Sequence, residues 1–212
     1  AMEMLKRRDT MIPLFKKFCD EHHYQFYLPI DEIYDYMVLE YAFAHFQYGT
    51  KASEIPSVTG PDEPLFKHFV KVSGPDYFAY PSKYLPFDVQ AARELGYYGY
   101  SLKGLKKWTK VKSTKGYLKK IMLSPELRHY EFDPTLYKRT VKFLKKEDPT
   151  MIFIYGEADP WSASGVCTWL NCKKKENMRV YVQPGGDHGA SITDMPEPDK
   201  TDIMERLTKW LQ

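Results

Sequence analysis

The chain has 212 residues, 43% hydrophobic and 16% aromatic, enough to bury a core in one domain or two small lobes. Its 31 basic and 28 acidic side chains leave a formal charge of +3, a near balance that argues against a nucleic-acid partner. No apolar run approaches the roughly 18 residues of a membrane span, and the short, charged, helix-like start from Ala1 to Arg8 does not have the pattern of a signal peptide.

Lysine clusters at Lys106-Lys107, Lys119-Lys120, Lys145-Lys146 and Lys173 to Lys175 sit in sign-mixed surroundings and read as solvated faces. Three cysteines make no disulfide framework: Cys167 and Cys172 either pair or stay reduced. A C-x4-C without a second pair or a nearby histidine is a poor zinc site. His22, His23, His45, His68 and His129 lack metal-ligand spacing and read as surface or core residues, so no metal is expected.

Two textures divide the chain. Residues 1–148 read as mainly helical and aromatic-rich, and residues 149–212 alternate strand and helix. Leu5, Ile12, Phe15 and Cys19 predict a first helix from Met2 to about Glu21. The second opens after Pro29 with Asp31 as N-cap, places Tyr34, Met37, Val38, Tyr41, Ala42 and His45 on one face, and stops at Gly49. Residues 49–86 carry Pro, Gly and Ser punctuation around a short helix from Leu65 to Val72. A helix over Phe87 to Leu95 follows, and Asp133-Pro134 signals another from Thr135 to Lys146.

The run Met151 to Tyr155 predicts a strand buried on both faces. A helix from Ala163 to Cys172, a strand from Arg179 to Gln183 and an amphipathic helix from Pro198 to Leu211 complete the pattern. Strand, crossover, strand implies a parallel pair and α/β architecture.

Each strand ends in a loop with a titratable residue: Asp159 after the first, His188 after the second. Functional groups of parallel sheets collect at the C-terminal ends of strands, and adjacent strands lie roughly 4.8 Å apart, within reach of an Asp159–His188 hydrogen bond. An aspartate that orients a histidine acting as general base is the supporting half of a Ser-His-Asp triad. Acid first and histidine last is the α/β-hydrolase order. The bland alternative makes Asp159 a helix cap and His188 an ordinary loop residue. The pairing on successive strand ends, eased by glycines, favours the catalytic reading.

The strings Gly156-Glu-Ala-Asp-Pro-Trp-Ser-Ala-Ser164 and Pro184-Gly-Gly-Asp-His188 resemble the acid and histidine loops of the secreted bacterial prolyl tripeptidyl aminopeptidases. The Asp-Pro-Trp-Ser portion is also similar to that of prolyl carboxypeptidase and dipeptidyl peptidase relatives. Gln90-Ala-Ala-Arg-Glu-Leu-Gly-Tyr-Tyr98 resembles a lid segment of the same group. The resemblance runs from roughly Arg7 to Leu211, and Gly-Gly-x-His alone would be weak.

The resemblance implies the C-terminal portion of an α/β-hydrolase fold in residues 149–212, with a short parallel strand pair, and a helical lid in residues 1–148. It implies that Asp159 and His188 are the triad acid and base of a serine exopeptidase. Such an enzyme releases short proline-containing peptides from a free N-terminus, without metal or organic cofactor, in a secreted or cell-envelope setting. Glu94 is the candidate partner of the peptide's protonated amine, supported by Gln90; the alternative is that both share a solvent-facing helix side. Trp161 either walls a proline pocket or fills the core beside the acid loop.

The nucleophile's usual Gly-x-Ser-x-Gly elbow does not occur. Ser162, Ser164 and Ser191 follow no glycine-flanked elbow. The expectation is therefore a fragment that needs a missing N-terminal hydrolase portion, is inactive alone, and self-associates through the bare edge of the Met151–Tyr155 strand or has that edge covered by the N-terminal helices. Two rival readings remain. A non-catalytic binding module would present the aromatic lid to a peptide. A lipase-like esterase would need an apolar acyl pocket, for which a carboxylate at Glu94 has little use.

Overall fold

The computed structural model describes residues 1–212. Two compact units divide them: Ala1–Ala44 with Lys51–Lys138, and His45–Thr50 with Arg139–Gln212.

The first unit is helical. The expected first helix is broken at Arg7 into α1 (Met2–Lys6) and α2 (Arg8–Glu21), because Arg7 leaves helical geometry and its guanidinium turns to Glu3, Asp62 and the Gly60 carbonyl. Met11, Phe15 and Cys19, at four-residue steps, are the buried face of α2. In α3 (Ile30–Gln47) the chain is buried on all sides from Ile33 to Glu40, not along one stripe; Ala42 is exposed and Ala44 buried. A helix enclosed all round brings its polar residues inside, and Asp35 and Glu40 go with it. Asp31 is not the N-cap. Pro29 supplies the first carbonyl, to the N–H groups of Glu32 and Ile33, and the Asp31 carboxylate pairs with Lys110 at 2.6 Å.

The next helix, α4 (Asp62–Val72), starts three residues before the expected Leu65, since Asp62 and Glu63 suit a helix's first turn. The helix expected over Phe87–Leu95 begins earlier, as α5 (Leu85–Gln90), and runs into a π-turn over Ala91–Leu95. Gly96, at φ +80°, closes it by donating its N–H to the Ala91 carbonyl. A short α6 (Tyr117–Met122) follows Gly116. Phe15, Tyr34, Met37, Phe69, Phe78 and Ile121 centre the core of this unit.

The second unit holds one parallel strand pair, β1 (Met151–Gly156) and β2 (Met178–Gln183), in register from Met151 against Met178 to Gly156 against Gln183. Two helices accompany it, α7 (Thr135–Lys146, of which the first residues belong to the first unit) and α8 (Glu197–Leu211). Asp133 caps α7 by accepting the Thr135 N–H at 3.0 Å. Side chains of the pair alternate between two faces. Phe153 and Val180 pack with Leu144, Leu170 and Met178, whereas Ile152, Ile154 and Tyr181 pack with Met195 and Ile203.

At the entrance to the pair, the Asp148 carboxylate accepts the N–H groups of Glu176 at 2.7 Å and Met178 at 3.1 Å, tying the starts of both strands together. One expectation holds only in part and another fails. β1 packs on both faces, but Ile152 to Tyr155 stay half-buried, because a two-stranded sheet leaves each strand one open edge. No α-helix spans Ala163–Cys172; short 3₁₀ turns occupy Pro160–Ser164, Val166–Thr168 and Cys172–Lys174. Gly165 interrupts the run, a Cβ there would collide with the Tyr155 ring, and the Val166 N–H is diverted to the Tyr155 hydroxyl at 3.0 Å. All three cysteines are free.

Candidate active site

The loops that leave β1 and β2 are bound to each other. Ala158 donates its N–H to the Gly186 carbonyl at 2.8 Å, and the Gly185 N–H donates to the Glu157 carboxylate at 2.8 Å. Gly156 is required by this approach: a Cβ there would meet the backbone oxygens of Asp187 and Gly186. The histidine loop is anchored again by the His188 N–H, which donates to the Gln47 carbonyl at 2.9 Å. Its neighbour Asp187 lies where a side chain on Gly49 would stand, and Gly49 has φ +63°.

This framework brings Asp159 and His188 together. Asp159 Oδ2 lies 2.8 Å from His188 Nδ1, with the aspartate side chain 7% and the histidine 53% exposed. The other oxygen, Oδ1, accepts the Trp161 N–H at 3.1 Å and caps the 3₁₀ turn that starts at Pro160. The capping and histidine-pairing readings of Asp159 are thus both satisfied, one by each oxygen. An ionised carboxylate only accepts hydrogen bonds, so a neutral His188 paired to it carries its proton on Nδ1. Nε2 is then left with a lone pair on the ring's half-exposed edge. That is the arrangement of a general base held in one tautomer.

Trp161 is half-buried, its ring centroid 6.5 Å from that of His188 and tilted by 46°. The serines of this unit are committed elsewhere. Ser162 Oγ donates to the Gly156 carbonyl at 2.7 Å, Ser164 Oγ to the Trp161 carbonyl at 2.9 Å, and Ser191 Oγ to Asp194 at 2.5 Å. In the first unit, exposed Gln90 and half-buried Glu94 line a shallow groove with Phe87 and Arg93, and neither makes a side-chain hydrogen bond or ion pair. Gln47 and Gly49 went unread in the sequence, where a helix end and a stop glycine carry no mark of the loop they receive.

The chain belongs to the PS-10 peptidase S37 family, whose profile matches residues 1–212. It is 23% identical over 217 residues to the prolyl tri/tetrapeptidyl aminopeptidase of Streptomyces mobaraensis, an alignment covering 98% of this chain and 44% of that protein. The chain therefore spans less than half the length of this relative. No solved structure gives a significant match. No helix is long and apolar enough to cross a membrane.

Proposed function

We propose that this chain carries the acid and base of a serine exopeptidase that removes short, proline-containing peptides from substrates with a free N-terminus. The observation that carries the proposal is the 2.8 Å contact between Asp159 Oδ2 and His188 Nδ1 at the ends of two adjacent parallel strands. In the proposed reaction, His188 Nε2 takes the proton of a serine hydroxyl as that oxygen attacks the scissile carbonyl, and Asp159 steadies the imidazolium that forms. The same proton then goes to the leaving amine. The serine is supplied by polypeptide outside these 212 residues, because Ser162, Ser164 and Ser191 are bonded elsewhere and no Gly-x-Ser-x-Gly elbow occurs. Family membership and the Streptomyces relative's name support the peptide substrate.

The helical residues 1–148 act as the lid and residues 149–212 as the hydrolase segment in this proposal. Trp161, close to the His188 ring, walls the proline pocket. Gln90 and Glu94 offer the peptide's amino end a carboxylate in an open groove. Neither metal nor organic cofactor takes part, and the setting is secreted or cell-envelope, both by family resemblance. The unpaired edge of β1 leads to self-association.

The test is a proline-containing tripeptide reporter assayed on this chain and on a version extended upstream. Turnover by the extended version alone, lost in His188→Ala, supports the proposal. Peptide binding without turnover by either version would favour the rival reading, a non-catalytic peptide-binding module, for which the committed serines are the one supporting observation.

A further inference from the structure

The near-balanced charge of the chain is unevenly spread. Residues 101–125 hold eight lysines, no arginine and no acid, so a chain of +3 overall carries +8 in this stretch and −5 elsewhere. Residues 101–113 form a closed loop of the first unit, its ends joined where the Thr114 hydroxyl donates to the Tyr100 carbonyl at 2.8 Å. Two successive turns open the loop. The Leu105 N–H donates to the Leu102 carbonyl at 3.0 Å, and the Trp108 N–H donates to the Leu105 carbonyl at 2.9 Å.

The loop is fastened from beneath. Leu102, Thr109 and Val111 are buried. The Thr109 hydroxyl and the Lys110 N–H donate to Asp35 Oδ2 at 2.8 and 2.6 Å, and Arg8 pairs with the same carboxylate. The Tyr36 hydroxyl adds a bond to the Ser113 carbonyl at 3.4 Å. Buried and exposed residues alternate from Thr109 to Lys112, so the anchors face the core and the lysines face out. Lys103, Lys106, Lys107, Lys110 and Lys112 are all exposed, and of these only Lys110 has an ion-pair partner, Asp31 at 2.6 Å. Trp108 is half-buried beside them, its ring centroid 4.6 Å from Lys107 Nζ and 6.0 Å from Lys6 Nζ. Lys6 is itself paired with Glu3 at 3.6 Å.

We propose that this loop is a docking surface for an anionic phospholipid membrane, with the Trp108 indole seated at headgroup level. Unpaired like charges on one short loop repel each other, and a negative surface turns that repulsion into attraction. The residue types select the partner. A membrane offers a diffuse negative field without fixed hydrogen-bond geometry, which suits point charges on long flexible stems. Nucleic acids are held through bidentate guanidinium forks and stacked rings, and this stretch has no arginine and one half-buried indole. Indole is a ring that settles at the lipid–water interface. Leu102 and Val111 lie inside the fold, so attachment is peripheral, electrostatic and reversible. None of this depends on the exopeptidase reading.

The experiment is sedimentation of the 212-residue chain with vesicles of phosphatidylcholine alone or with about 30% phosphatidylglycerol, at about 0.1 M and about 0.5 M salt. Partitioning is expected to be at least about tenfold stronger onto the anionic vesicles at the lower salt, and to lose that advantage at the higher. Joint Lys103→Gln, Lys106→Gln, Lys107→Gln and Lys112→Gln substitution is expected to weaken it at least about tenfold. These side chains are exposed, so the thermal transition stays in place. The same change of charge at exposed Lys138, Lys142, Lys173 and Lys174 is expected to alter partitioning by less than about threefold. Tryptophan emission shifts to the blue on anionic vesicles, and Trp108→Phe removes that shift. Equal partitioning onto both vesicles, no vesicle binding, a loss shared equally by the control set, or a shift that survives Trp108→Phe overturns the inference. Loop-dependent binding to duplex DNA or polyphosphate that exceeds vesicle binding at matched phosphate overturns it too, since it gives the lysines a polyanion in place of a membrane.

Discussion

Asp159 and His188 are joined by a carboxylate that holds two partners at once, the Trp161 N–H on Oδ1 and the imidazole Nδ1 on Oδ2. The double duty separates two substitutions. Asp159→Ala orphans the Trp161 N–H and uncaps the 3₁₀ turn, at a cost of about 1–2 kcal/mol in urea unfolding. Asp159→Asn keeps an acceptor for Trp161 and costs less, but frees His188 to adopt the wrong tautomer. In an upstream-extended enzyme kcat is then expected to fall by about 10³–10⁴. Comparable kcat for Asn and wild type would remove the relay.

Gly156 shows how closely the two loops meet. Gly156→Ala drives a methyl group into the Asp187 and Gly186 carbonyls, which belong to backbone and cannot swing aside. A loss of about 1–3 kcal/mol is expected, with weakened contact between the acid and histidine loops. Gly99→Ala, facing open space, is the control and is expected to stay within about 0.5 kcal/mol. Equal stabilities for the two variants would contradict the packing described.

Asp35 is expected to be the most sensitive charged position in the first unit. Its pairing with Arg8 is buried and is completed by Thr109 and Lys110. Arg8→Ala leaves an uncompensated buried charge, worth about 3–5 kcal/mol by chemical denaturation. A loss below about 1 kcal/mol would place the pair among surface ion pairs.

Glu40 gives stability a pH dependence. Its folded carboxyl titrates near 7 against an ordinary 4.5, so the folded chain holds a proton that the unfolded chain gives up across that window. The contribution is fully present below the ordinary carboxylate range and is lost as pH rises through about 7. The total is about 3 kcal/mol. Thermal transitions are expected to fall in temperature over this window and to flatten in Glu40→Gln. An identical slope in that variant would refute the assignment.

The unpaired edge of β1 is expected to produce concentration-dependent sedimentation. Met151→Lys, which sets a charge on the exposed first residue of that strand, is expected to reduce it. A monomer at every concentration would show the edge to be inert.

The strand pair, its parallel order and both loop residues were legible because they rest on local signals: an apolar run closed by Gly156, a β-rich run closed by Pro184-Gly185-Gly186, and a titratable residue after each. The absent helix at Ala163–Cys172 was not, because its composition suits a helix; the Tyr155 hydroxyl diverts the Val166 N–H and its ring presses on Gly165, eleven and ten residues away. The break at Arg7 likewise depends on Asp62 and Gly60, distant in sequence. One signal was present and unread: Asp35 and Glu40 interrupt the apolar run from Ile33 to Ala44. Acids inside such a run mark a helix enclosed on all sides, where each must find an internal partner.

The most direct measurement is the protonation of the two His188 ring nitrogens by long-range ¹H–¹⁵N correlation on the labelled chain, at a pH where the imidazole is neutral. The expected result is a proton on Nδ1 and a bare Nε2, with the preference lost in Asp159→Ala. A proton on Nε2, or one shared equally in the unaltered chain, would contradict the claim that Asp159 holds His188 ready as a base.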